Sequence, residues 1–123
     1  MEFDKLSNRV IGCALEVHRI LGPGLLETAY EQCLAQEFLL ADIPAEYQVP
    51  LPVKYKGLQL DCGYRIDVLV DDTLILELKS VEHILGLHEA QLLTYMKLAK
   101  VKVGLLINFN VKLLKDGIKR YVL

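Results

Sequence analysis

An α/β domain is predicted, with a mixed β-sheet flanked by helices in the order α-α-β-β-β-α-β-β, and three observations predict it. Two apolar stripes of helical period open the chain. A block of Ile-, Leu- and Val-rich segments follows over residues 47–79, broken by turn residues at strand spacing. One more helical stretch then leads into residues 101–108, a near-continuous apolar run of the kind carried by a strand buried on both faces.

Residues 4–20 place Leu6, Val10, Cys13, Ala14, Val17 and Leu21 on one helical stripe. Asp4 suits its cap, and Leu21-Gly22-Pro23-Gly24 stops it. His18, near its end, is expected at the surface as a helix-terminal cation. A second helix over 25–40 has Leu26, Ala29, Tyr30, Cys33, Leu34 and Phe38 as its apolar side, with Glu27 complementing the helix dipole in the first turn. Residues 47–56 alternate loosely, and Pro50 and Pro52 push that strand to an edge. Gly57 turns the chain into a strand over 58–70, whose Leu60, Cys62, Tyr64, Ile66 and Val68 form one face and Asp61, Gly63, Arg65 and Asp67 the other. A strand over 73–79 completes an antiparallel meander. Glu82, His83, His88 and Glu89 are metal-capable, but their spacing fits no zinc pattern, so a solvated connection is expected. In the helix over 88–100, Gln91 and Tyr95 are four apart and share a face. A last strand, 118–122, follows Asp116-Gly117.

Three charges interrupt the central strands. Asp67, Glu77 and Lys79 stand where a buried sheet carries aliphatics, and unpaired buried charge is expensive. Glu77 and Lys79 are two apart and share a face; Asp67 joins them only if cross-strand partners sum to an even number. That register needs a three-residue connection through Asp71, Asp72 and Thr73, whereas a two-residue turn would set Asp67 beside Leu76. In the favoured register Asp67 faces Glu77, two carboxylates that repel unless a proton or cation lies between them. Hard oxygen ligands on a rigid sheet suit Mg²⁺ or Mn²⁺ better than zinc.

Asp67 with Glu77-Leu78-Lys79 resembles the signature of the PD-(D/E)XK nuclease superfamily, and Gly63 with Asp67 is similar to its G-x-x-x-D motif. Ile66 stands where the superfamily's name has proline. Gly24-Leu25-Leu26-Glu27-Thr28-Ala29-Tyr30 resembles the motif that names the GxxExxY family within it, and Gln91-Leu92-Leu93-Thr94-Tyr95 resembles the Q-x-x-x-Y element of the RecB-like branch. The resemblance implies a restriction-endonuclease-like core and a phosphodiester-cleaving site. Asp67, Glu77 and the backbone carbonyl of Leu78 would hold the metal, and Glu27 would contribute to it or to a second ion. Lys79 would position or activate the attacking water and stabilise charge on the phosphate. Gln91 and Tyr95 would hold the metal-site shell or a substrate phosphate. Tyr30 is expected as a core aromatic or as the hydroxyl that orients Glu27, and Gly63 as a supporting residue.

Composition bounds the rest. A chain of 123 residues, 53% hydrophobic, fits one domain spanning 1–123 with a single packed core. No apolar run approaches the ~18 residues that cross a membrane, and the opening residues carry no basic region or apolar signal core, so a cytoplasmic protein is expected. Cys13, Cys33 and Cys62 lack zinc or disulfide spacing and are expected as buried hydrophobes. The net charge of −2 is unevenly spread. From Lys97 onward the basic side chains are opposed by Asp116 alone, so Lys97, Lys100, Lys102, Lys115, Lys119 and Arg120 are candidates for binding DNA, with solvated surface lysines as the competing reading. The expected function is a Mg²⁺- or Mn²⁺-dependent deoxyribonuclease whose target choice comes from DNA structure, a second copy of the chain or a protein partner. The alternative is a nucleic-acid-binding or oligomerising module that keeps the fold without cleaving.

Overall fold

Asp4 accepts the Ser7 amide at 3.0 Å and starts a helix, α1 (Lys5–Leu21), in the computed structural model, which describes residues 3–123. Val10, Ala14 and Val17 of its stripe are buried, as their spacing requires. His18 is buried too, and its Nε2 lies 2.8 Å from the Val111 carbonyl, so the surface position expected for it is corrected: the last turn of α1 is covered by the segment after the sixth strand. Gly22 ends α1 at φ 69°, a left-handed backbone that glycine adopts without strain. The second helix, α2 (Glu27–Leu40), buries Tyr30, Leu34 and Phe38.

The two long strands expected over 47–56 and 58–70 each break in two. β1 (Ala45–Pro50) pairs antiparallel with β4 (Arg65–Val70), while β2 (Val53–Tyr55) and β3 (Leu58–Leu60) form a separate hairpin beyond them. Pro50 ends β1 and Pro52 lies between β1 and β2, where neither can donate to a ladder; the break in 58–70 falls at residues 61–64. The single apolar face read from Leu60 to Val68 is broken accordingly: Leu60, Cys62 and Tyr64 are exposed, and Cys62 is not the buried residue expected of it. Ile66 and Val68 pack in different cores although they are two apart on one strand. Gln48, at φ 52° between the pairs Tyr47↔Val68 and Val49↔Ile66, marks the twist that separates them.

β5 (Leu74–Lys79) follows a three-residue connection in which Asp71 and Asp72 take φ 50° and 55°, the longer turn that the charge pattern favoured. A crossover helix, α3 (Gly86–Ala99), returns the chain to β6 (Val103–Asn108), parallel to β5, and β7 (Ile118–Val122) closes the edge after a short 3₁₀ turn. The five-stranded mixed sheet runs β1-β4-β5-β6-β7, which is consistent with a restriction-endonuclease-like fold. α1 and α2 cover one face, over Val68, Leu76, Leu78, Leu105 and Ile107; α3 covers the other, over Ile66, Ile75 and Leu106. No helix among the described residues is long and apolar enough to cross a membrane.

Candidate active site

The β4–β5 ladder ends at Val68↔Leu76, so the next residues toward the open end are Asp67 and Glu77. There the strands part and the Asp67 side chain replaces a ladder carbonyl: the Leu78 amide donates to its Oδ2 at 2.9 Å. Glu77 is only 4% exposed, and no donor reaches its Oε1. Burial and then the Asp67 charge push the Glu77 carboxyl up to about 8, against the pull of Lys79. That direction favours the acid form of Glu77 in the metal-free protein.

Lys79 is half-buried two residues further along, paired in register with Asn108 of β6. Tyr95 of α3 packs with Ile66 and Ile75, the strand neighbours of the pair. Its phenol is pushed up by burial and then by the Glu77 charge, with Asp67 adding to it, while Gln91 Nε2 donates to the Tyr95 oxygen at 3.1 Å. The Tyr64 ring meets Tyr95 at 6.1 Å and 63°, an edge-on contact.

Glu27 stands apart from the carboxylate pair. It is exposed at the start of α2, and its Oε2 accepts the Ser80 amide at 3.3 Å, just past the end of β5. Among the described residues, no three His, Cys, Asp or Glu side chains gather closely enough to hold a metal ion. Tyr30 does not orient Glu27. Its hydroxyl donates to the Gly22 carbonyl at 2.6 Å and accepts the Leu25 amide at 3.2 Å, and its ring stacks on Phe109 at 4.3 Å, so it closes the loop from inside the core. Gly63 lies in the loop before β4 at φ 77°, where it frees the backbone to turn.

A carboxylate pair at the mouth of a bent hairpin, with a lysine two residues on, is now in place on this sheet. The family model described as the PD-(D/E)XK nuclease superfamily matches residues 4–121. The chain belongs to that superfamily. No curated protein and no solved structure matches it.

On this PD-(D/E)XK core the basic residues are divided. Lys97, Lys100 and Lys102 lie by the Leu74↔Val103 end of the parallel pair, five rungs from Lys79↔Asn108 and so about 17 Å away. Lys119 is paired with Glu89 at 2.8 Å, and Arg120 with Asp4 at 2.8 Å, its guanidinium 5.0 Å from the centre of the Phe3 ring. Lys115 is exposed on the 3₁₀ turn. The six therefore form no single surface beside the carboxylates.

Two positions that fix the chain beside the carboxylate pair went unread in the sequence. Asn108 is 3% exposed; its Nδ2 donates to the Val81 carbonyl at 2.9 Å and its Oδ1 accepts the Val81 amide at 3.1 Å. This two-way clasp acts as an extra rung that fixes the chain after Lys79. Ser80 Oγ donates to the Leu25 carbonyl at 2.6 Å, tying the end of β5 to the entry of α2. An asparagine closing an apolar run was the available signal, because a buried amide must find partners.

Proposed function

We propose that the chain is a single nuclease-like domain over 1–123 that hydrolyses phosphodiester bonds in DNA with Mg²⁺ or Mn²⁺. The observation that carries this is Glu77 Oε1, a sealed acceptor without a donor on a carboxyl that faces Asp67. An unmet buried acceptor costs about 1–3 kcal/mol. A cation relieves that cost and offsets the Asp67 charge that holds Glu77 in its acid form, and rigid carboxylate and carbonyl oxygens suit a hard ion.

Asp67 and Glu77 hold the ion in this reading. The carbonyl of Leu78 joins them, because its amide already points at Asp67 and both groups of one strand residue face the same neighbour. Glu27 adds a ligand to that ion or to a second one from beside Ser80. When bound, the ion supplies Lewis-acid charge at the scissile phosphate and makes water more acidic. Lys79 orients the attacking water and sets a positive charge beside the phosphate, where its half-burial weakens screening. Gln91 fixes the Tyr95 hydroxyl, which faces Glu77 or a phosphate oxygen. The GxxExxY and RecB-like assignments stand with this reading, on Gly24 to Tyr30 and on Gln91 with Tyr95. DNA contacts by Lys97, Lys100, Lys102, Lys115, Lys119 and Arg120, a cytoplasmic location and a second copy or protein partner for target choice complete it.

Purified protein with Mn²⁺ is expected to nick or degrade single-stranded or branched DNA, followed on gels. Binding without cleavage under every divalent cation would replace the nuclease by a nucleic-acid-binding module.

A further inference from the structure

We propose that the groove between the β2–β3 hairpin and α3 is a subsite for an unstacked nucleobase of the substrate strand, an inference that rests on the nuclease reading above. The hairpin lies outside the main sheet. Its pairs Val53↔Leu60 and Tyr55↔Leu58 set four apolar side chains on one face, with Lys54 and Gln59 on the other. That apolar face is poorly covered: Tyr55 is 60% exposed and Leu58 58%. Below it lies a groove of about 570 Å³ whose lining includes Leu60, Tyr64, Leu87, Gln91 and Tyr95. The volume falls within the ~300–1,000 Å³ of small-molecule sites.

Two features identify the occupant. The first is continuity with the carboxylate site: Tyr95 lines the groove and packs in one cluster with Ile66 and Ile75, the strand neighbours of Asp67 and Glu77, so whatever fills the groove lies close to the group being cut. The second is charge. The stretch from Tyr55 to Arg65 carries Lys56 and Arg65, both exposed, against Asp61, and Lys56 Nζ sits 5.5 Å from the centre of the Tyr55 ring. A ligand with a flat apolar face, polar edges for Gln91 and the Tyr95 hydroxyl, and an anionic backbone for Lys56 and Arg65 matches all of these. Unpaired nucleotides have that chemistry; a duplex hides its bases in the stack, and an apolar protein surface has no use for the cations. A cleft of about 630 Å³ lined by Phe38, Ile43 and Tyr47 lies at the opposite end of β1, away from Asp67 and Glu77.

The test titrates the full chain, in EDTA, with a single-stranded oligonucleotide containing 2-aminopurine and with an abasic strand of equal length. The strand with bases is expected to bind roughly tenfold tighter, with quenched fluorescence. Tyr64→Leu and Leu60→Glu should each erase most of that preference while keeping the wild-type circular dichroism and melting. Equal affinity for both strands overturns the subsite, and so does a preference that survives in both folded variants. Self-association that Leu60→Glu abolishes, without base preference, overturns it in favour of a second copy. Mn²⁺-dependent cleavage indifferent to Tyr64 and Leu60 leaves the nuclease standing and removes the subsite; base-dependent binding without cleavage supports the subsite and removes the nuclease.

Discussion

Glu77 is a buried carboxyl that the fold stabilises as an acid, and its neighbours explain why such a costly group sits in a β-strand. Asp67 is anchored by the Leu78 amide and cannot swing away, so the two carboxyls stay face to face. Mn²⁺ should therefore raise the melting temperature by several degrees, since ligand at a hundred times its Kd contributes about 2.7 kcal/mol. In Asp67→Asn that rise should vanish, while above pH 8, where both wild-type carboxyls ionise, the metal-free variant should melt no lower than the wild type because the like-charge strain is gone. Equal metal shifts in both proteins, measured by calorimetry, would place the ion elsewhere. Asp67, Glu77 and Lys79 were legible as a set because strand parity makes charged residues in an apolar hairpin conspicuous. Tyr30 was not, because a core aromatic whose hydroxyl ties a loop has the same periodicity as one that faces a site.

At the scale of elements, α1 shows a cap doing two jobs. Burial resists the charge on Asp4, but hydrogen bonds from Ser7 and then Arg120 outweigh it and bring the carboxyl down to about 2 from 3.8. With the folded value below the unfolded one, the contribution of Asp4 is complete above pH 4 and disappears as pH falls toward 2. Asp4→Ala should cost about 1 kcal/mol at pH 7, and its deficit against the wild type should shrink across that acid window; a deficit constant from pH 7 to 2 would contradict the assignment. The 3₁₀ turn before β7 sets a second limit. A methyl at Gly117 would collide with the Asn108 carbonyl, so Gly117→Ala should cost roughly 1–3 kcal/mol. Because Asn108 also clasps Val81, the amide exchange of Val81 should rise with it. The helices and the β4–β5 register were readable from period and parity. The split of the strands over 47–70 was not: propensity shows that Pro50 and Pro52 weaken a ladder, but only packing decides that the far piece leaves the sheet.

For the whole molecule, the sheet orders the chemistry along its length. Asp67, Glu77, Lys79, Ser80 and Asn108 gather at one end of β4, β5 and β6, and the β2–β3 hairpin extends beyond that same end, whereas Lys97, Lys100 and Lys102 lie at the other. Counting charge along the chain foresaw a basic segment from Lys97 onward. It could not foresee that Glu89 and Asp4, remote in sequence, neutralise Lys119 and Arg120. A short reader with its cations dispersed depends more on the site itself than on a long duplex track. The most direct test of a metal-dependent site at Asp67, Glu77 and Lys79 is single-turnover cleavage of single-stranded DNA in Mn²⁺ by the wild type and by Lys79→Ala, with binding measured on the same strand. Wild-type cleavage that drops by at least 10²-fold in Lys79→Ala at unchanged DNA affinity is the expected result, because the lysine acts on the transition state. Cleavage that survives in Lys79→Ala at the wild-type rate would contradict it.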